Sequence, residues 1–299
     1  MRARSPLVLA TTVAALAWPT AEAQTLDTVQ IRTERLAEGV YALRGRGGNI
    51  GLAIGTEAVF VVDDQFAPLT PKILAAIAAL TDRPVRFVLN THWHFDHTGG
   101  NENMGKAGAL LVAHDNVRRR MSTRQFIEFI KREELPSPPG ALPVVTFNDA
   151  VTFHINGDEV TAIHLPAAHT DGDAAVYFRR ANVVHMGDVY IHSYPLVDLS
   201  SGGSLSGVVR GVDRVLALIN DSTRVIPGHG ETSNRASLRA YRDMLATVRD
   251  RVHRQVRAGA SLEQIIASKP TADLDATWEG SFIKAADVIR FAYADATRR

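Results

Sequence analysis

The stretch Thr91-His92-Trp93-His94-Phe95-Asp96-His97 puts four metal-ligand side chains, His92, His94, Asp96 and His97, within six consecutive residues. Imidazole nitrogen and carboxylate oxygen are the donors that hold zinc at catalytic sites. Crowding such groups without partners is costly, and a divalent cation removes that cost. A lone histidine is more often a hydrogen-bonded core or surface residue; this run instead predicts a metal-binding turn.

Three later pieces carry the same donor types. His169 lies in Pro166-Ala167-Ala168-His169-Thr170-Asp171-Gly172-Asp173, Asp188 in Met186-Gly187-Asp188, and His229 in Pro227-Gly228-His229-Gly230. Each follows a predicted strand and has glycine nearby, which lets backbone come close to a metal. Val85-Arg86-Phe87-Val88-Leu89 reads as a short buried strand that delivers His92 to a loop at its carboxyl end. Active sites of layered α/β proteins collect at such ends.

The surrounding pattern alternates strands and helices. Strands are predicted at 40–43, 50–54, 58–62, 110–113, 144–147, 151–155, 159–165, 174–178, 183–186 and 225–226, with Asn156-Gly157 as a hairpin signal. Helices are predicted at 68–81, 115–121, 205–219, 234–258, 262–268 and 281–296. Residues 125–134 read as an amphipathic helix ahead of Pro136, Pro138, Pro139 and Pro143, which cannot continue one. The segment of about 122–143 is therefore expected to be an insertion over the core, a lid or substrate wall, with Phe126, Phe129 and Ile130 as candidate pocket residues. Two similar strand groups with intervening helices suggest a sheet sandwich covered by helices on both outer faces.

Met1-Arg2-Ala3-Arg4, an apolar run from Leu7 to Trp18 and Ala21-Glu22-Ala23 read as a cleavable signal peptide over residues 1–23, leaving a single domain over 24–299. That predicts a periplasmic or secreted protein. Loss of Arg2, Arg4 and Glu22 leaves a formally neutral chain, without the basic excess that nucleic acid or an anionic membrane would call for. No second apolar run reaches membrane-spanning length, so no stable membrane insertion is expected; the oligomeric state stays open. The chain has no cysteine, so any metal site must use nitrogen and oxygen donors, which suits zinc but also manganese or iron.

The ordered set His92-Trp-His94-Phe-Asp96-His97, His169, Asp188 and Pro-Gly-His229-Gly resembles the metallo-β-lactamase superfamily, over about Val40 to Arg257. The resemblance implies an α/β protein with the four-layer αβ/βα sandwich of the metallo-β-lactamase type. It implies two zinc ions per chain, one on His92, His94 and His169, the other on Asp96, His97 and His229, with Asp188 bridging. Asp63, or else Asp64, would orient a ligand histidine. Water activated between the two cations would attack the substrate, with Asp96 and Asp188 as the catalytic carboxylates that anchor the ions and shuttle a proton.

Asp188 narrows the class, because β-lactam-cleaving members generally lack an aspartate there, whereas hydrolases of thioesters, lactones, phosphodiesters and sulfate esters keep it. The expectation is an exported dinuclear zinc hydrolase acting on a small ester-, lactone-, thioester- or amide-type molecule. β-Lactam hydrolysis and an iron-dependent sulfur or oxygen redox reaction are the alternatives. Of the remaining candidates, Tyr190, His192 and Tyr194 are expected on one side of an extended segment near the metals. Trp93 and Phe95 are expected to pack beneath the loop. His114, His154, His164 and His185 are read as structural histidines, and Asp171 and Asp173 as turn-formers.

Overall fold

The computed structural model describes residues 26–298; the signal-peptide reading falls outside them. Two sheets form the centre. The first contains β1 (Arg32–Ala37), β2 (Val40–Arg44), β3 (Ile50–Ile54), β4 (Val59–Val62), β5 (Val85–Leu89) and β6 (Leu110–His114), with β9 (Val145–Phe147) beside β6. Its first four strands pair antiparallel, and β4, β5, β6 and β9 run parallel. A separate small ladder pairs β7 (Gln125–Ile127) with β8 (Arg132–Glu134). The second sheet runs β10 (Ala150–Ile155), β11 (Asp158–His164), β12 (Ala174–Phe178), β13 (Val183–His185), β14 (Arg224–Ile226) and β15 (Ser233–Asn234).

Period-two alternation builds the layers. On β4, Phe60 and Val62 face the second sheet and pack with Val160, Ala162, Val176 and Phe178. Val59 and Val61 point the other way, onto Leu69, Ile73 and Ile77 of the helical segment Ala67–Ala78. The outer face of the second sheet is covered by the helices Leu205–Leu216, Arg235–Arg257 and Ala285–Thr297. The result is helix, sheet, sheet, helix, the predicted four-layer sandwich. Both faces of β4 are buried, which explains why its sequence is uniformly apolar. The Asn156-Gly157 hairpin is also present, with both residues at positive φ (56° and 69°).

Several elements differ from expectation. Residues 125–134 form the β7–β8 hairpin, not a helix. Extended backbone buries Ile127 among Trp93, Val117 and Met121 while turning Phe126 to solvent, and the amide of Glu128 donates to Ser200 Oγ at 3.2 Å. These tertiary contacts override a local sequence that would support either state. A helix at Ala272–Trp278 was not anticipated, and the last helix begins at Ala285 rather than near Ser281. Among the described residues, no helix is long and apolar enough to cross a membrane.

Candidate metal centre

All seven predicted ligands converge at the carboxyl ends of strands from both sheets. β5 ends at Leu89, and the turn after it is locked by reciprocal side-chain amide bonds between Asn90 and Asn101 (3.0 and 2.9 Å). His94 then starts a one-turn helix, Phe95–Thr98, whose backbone amides from His97 and Thr98 donate to His94 O. That turn brings Asp96 and His97 to His229 and His94 to His169, with His92 neighbouring both His94 and His97. The β11–β12 connection supplies His169, the turn after β13 supplies Asp188, and the turn after β14 supplies His229.

The donor atoms fall into overlapping groups: His92, His94 and His169; His92, His97 and Asp188; Asp96, His97 and His229. Within each group they lie within 4.8 Å of one another. His169 Nε2 is 2.9 Å from His94 Nδ1. Asp188 stands between the clusters: Oδ1 is 3.1 Å from His97 Nε2 and 3.4 Å from His229 Nε2, whereas Oδ2 is 3.8 Å from His169 Nε2. Asp96 Oδ2 lies 3.3 Å from His229 Nε2.

The outer nitrogens of four rings are tied to the chain, which fixes which nitrogen faces the cluster. His97 Nδ1–H donates to Asp63 Oδ2 at 2.8 Å. His92 Nδ1 is 3.1 Å from Thr91 Oγ1, whose hydroxyl donates to Asp63 Oδ2 at 2.8 Å. His169 Nδ1–H donates to Leu196 O at 2.8 Å, and His94 Nε2–H to Asp198 Oδ2 at 3.1 Å. His94 thus presents Nδ1, whereas His92, His97 and His169 present Nε2. Of the two aspartates weighed for the orienting role, Asp63 fills it; Asp64 Oδ1 instead accepts the Gly100 amide at 2.9 Å.

A metal ion fits this arrangement on three observations. His92 Nε2 is buried without a hydrogen-bond partner among the described residues. Imidazole nitrogens of different residues face one another at 2.9 and 3.4 Å, a donor set suited to a shared cation. The field has the right sign: burial disfavours charge on His97 and His229, yet the Asp188 carboxylate and its neighbours outweigh it, holding His97 well above its ordinary pKa and raising His229 to about 10. Glycine makes room at two points. A Cβ on Gly228 would sit 1.9 Å from Asp188 Oδ1, and one on Gly48 would sit 2.2 Å from the His97 ring.

Beyond the cluster opens a cavity of about 490 Å³. Phe95 lines it rather than packing beneath the loop, whereas Trp93 is buried as expected. Ile130 lines it too, but Phe126 faces solvent, and Phe129 packs against Phe282 and Phe291. His192 and Tyr194 reach the cavity; Tyr190 is buried behind them.

The other histidines fit structural roles. His114 and His164 stack at 3.7 Å, and His185 bonds Asn49 O at 2.9 Å. His154 is the exception, an exposed residue on β10 away from the cluster. Asp173 accepts the Thr170 amide and hydroxyl, as a turn-former does, whereas Asp171 forms a two-pronged ion pair with Arg120 (2.7 and 2.8 Å). Sequence reasoning missed Asp198, because in Asp198-Leu199-Ser200-Ser201 it reads only as a turn cap, which it also is.

Comparison with known proteins agrees with this geometry. A family model described as the metallo-beta-lactamase superfamily matches residues 43–248. Acyl-coenzyme A thioesterase MBLAC2 from Bos taurus is 23% identical over 226 residues, covering 66% of this chain and 80% of that protein. The 2,4-dinitroanisole O-demethylase subunit alpha of a Nocardioides species is 22% identical over 209 residues, 69% of this chain and 57% of the relative. Among solved structures, the inverting sec-alkylsulfatase Pisa1 from Pseudomonas sp. superposes with a TM-score of 0.68 at 18% identity; the match covers 92% of this chain but only 51% of that one. A metallo-beta-lactamase from Pontibacter korlensis gives a TM-score of 0.61 at 19% identity, covering 73% of this chain and 99% of that one.

Proposed function

The chain belongs to the metallo-beta-lactamase superfamily and is a metal-dependent hydrolase; from that premise we propose that it cleaves a small ester-, lactone-, thioester- or amide-type molecule at a centre of two zinc ions. His92, His94 and His169 would hold one ion, Asp96, His97 and His229 the other, and Asp188 both. The bound cations would supply Lewis acidity and a water of near-neutral pKa.

The chain's own residues do the rest. Asp63, Thr91, Leu196 and Asp198 hold the ligand rings at fixed angles, so little reorganisation is needed at the moment of reaction. Asp96 Oδ2 and the Asp188 carboxylate lie within the cluster and can take up and return the proton that moves from water to leaving group. The apolar cavity wall keeps bulk water from the reacting bond. The thioesterase name of a relative is consistent with acyl transfer to water. Export remains part of the proposal, on the strength of residues 1–23. So does a substrate-wall role for the segment 122–143, whose Ile127 and Ile130 line the cavity.

One observation carries the reading: the two oxygens of Asp188 face different histidine groups. Metal analysis of purified protein should return two zinc per chain, and a panel of carboxylic ester, lactone, thioester, sulfate ester, phosphodiester and β-lactam probes should show metal-dependent turnover of an acyl compound. His94→Ala and Asp188→Ala should abolish it. Full activity in Asp188→Ala would remove the bridging role, and iron with a visible absorption band would replace the hydrolytic reading with a redox one.

A further inference from the structure

We infer that the cavity over the metal centre selects acyl esters carrying an uncharged hydrocarbon arm, and discriminates against esters of the same length whose arm ends in an anion; this rests on the hydrolase reading above. Besides the ligand set, the polar side chains that line the cavity are His192, Ser193 and Tyr194. Its walls are carbon: Ile127 and Ile130 from the β7–β8 hairpin, Ile191 and Leu196 from the segment after Asp188, and Phe282 and Ile283 from the approach to the last helix. No Lys or Arg is among the residues that line it.

These polar groups are already spent: Ser193 Oγ donates to Tyr194 O at 3.3 Å. Tyr194 lines the cavity by its ring, and its hydroxyl donates to Asp275 Oδ1 at 2.8 Å. His192 Nε2–H donates to Glu231 O at 2.7 Å. Two guanidiniums approach lining residues, and both are neutralised. Arg132 stacks over Phe95 at 3.6 Å and is bonded to Glu134. Arg44 is bonded to Glu34 at 2.6 Å and donates to Gly230 O at 3.1 Å. A phosphate, sulfate or carboxylate carried on the arm would be desolvated against these carbon walls without a Lys or Arg to receive it. A hydrocarbon arm loses nothing and gains by burial. The volume suits a small organic molecule.

The reaction on such a substrate is RCO–OR′ plus water giving RCOOH and R′OH. Water oxygen bonds to the carbonyl carbon, the acyl C–O bond breaks with its electron pair on the leaving oxygen, and the proton from water ends on the alcohol.

The test uses the zinc-loaded full chain with p-nitrophenyl acetate, butyrate, hexanoate and octanoate, against the mono-p-nitrophenyl ester of octanedioic acid, whose arm ends in a carboxylate. Each added methylene should raise kcat/KM about four-fold until the cavity is filled, and the carboxylate-tipped ester should fall well below p-nitrophenyl octanoate. Ile130→Asn should lower the octanoate-to-acetate ratio at least ten-fold. Calorimetric titration with 1-butanol, 1-hexanol and 1-octanol, with and without zinc, reads the cavity independently of turnover. Affinity should climb with chain length in both forms. A flat chain-length profile in turnover and binding, or preference for the carboxylate-tipped ester, overturns the inference while leaving the hydrolase reading intact. Chain-dependent alcohol binding without hydrolysis of any ester overturns the hydrolase reading and keeps the cavity assignment.

Discussion

Asp198 Oδ2 lies 3.1 Å from His94 Nε2, and the backbone around Asp198 grips the neighbouring ligand as well: Leu196 O accepts from His169 Nδ1, and the Asp198 amide donates to His169 O at 2.9 Å. One short segment therefore aims two of the three rings of one ligand group. Asp198 is itself held by Ser200 and the Ser201 amide. Removing the carboxylate frees His94 to rotate and to change tautomer. Asp198→Ala should weaken zinc at the His92, His94 and His169 group by about 10- to 100-fold, the range for loss of such an orienting partner. Asp198→Asn, which can still accept from His94, should recover much of it. Chelator-competition titration reads both affinities; an Asp198→Ala protein that holds two zinc ions as tightly as the parent would remove this role.

Gly228 is a tight steric constraint on the Asp188 carboxylate. Its amide donates to Tyr190 O at 3.0 Å and its carbonyl accepts from the Asn49 amide at 2.7 Å, so the backbone cannot retreat. Gly228→Ala places a methyl 1.9 Å from Asp188 Oδ1. Overpacking of this kind costs about 1–3 kcal/mol, and Asp188 must swing away from at least one histidine group. The expected outcome is fewer than two zinc per chain and lost turnover. Gly108→Ala is the control: a Cβ there meets nothing within 4 Å, but φ is +98°, so strain should cost about 1 kcal/mol with metal content unchanged. Equal metal loss in both variants would show that general destabilisation, not the Asp188 contact, is responsible.

Chelation should destabilise the whole molecule, because the ligands come from both sheets and a cation that binds only the folded state ties them together. At free zinc a thousandfold above its Kd each ion held adds about 4 kcal/mol. For a domain of this size that is a Tm shift of roughly 8–16 °C. Differential scanning calorimetry before and after EDTA treatment, then after zinc addition, checks both the drop and its reversal. A Tm indifferent to zinc would mean that these side chains do not form a tight site.

The ligand set was legible in the sequence because each member sits at a strand end in a short motif dense in histidine, aspartate and glycine, and such local patterns survive without tertiary knowledge. The four-layer sandwich was legible for a related reason, since uniformly apolar strands such as Val59–Val62 are buried on both faces. What escaped depended on distant partners. Asp198 is a turn cap in its own segment, and only the fold brings it to a histidine 104 residues away. The β7–β8 hairpin has the local composition of a helix, and its extended form is decided by Trp93, Met121 and Ser200, none of which lies in the segment.

Acid should weaken the fold through a pair that is not part of the candidate ligand set. The rings of His114 and His164 stack at 3.7 Å and 11°. His114 Nδ1 accepts the Asn116 amide at 3.1 Å, while His164 Nδ1–H donates to Asp173 O at 3.0 Å. Burial, then the neighbouring His164, pushes His114 down to about 4; burial also lowers His164, with Arg214 adding to it, against the opposing pull of Asp171 and Asp149. Both folded-state values lie below the unfolded one of about 6.5. Between roughly pH 6.5 and 4 the unfolded chain therefore binds more protons, so the pair imposes no penalty above that window and a growing one as pH falls through it. His164→Phe keeps a stacked ring, removes one titrating group and relieves His114 of a potential positive neighbour. Urea unfolding at a series of pH values, on EDTA-stripped protein so that metal release does not contribute, should show a shallower acid slope in His164→Phe. The difference is at most about 1.4 kcal/mol per pH unit for each proton removed from the balance. Parallel slopes for variant and parent would mean that the acid sensitivity arises elsewhere in the chain.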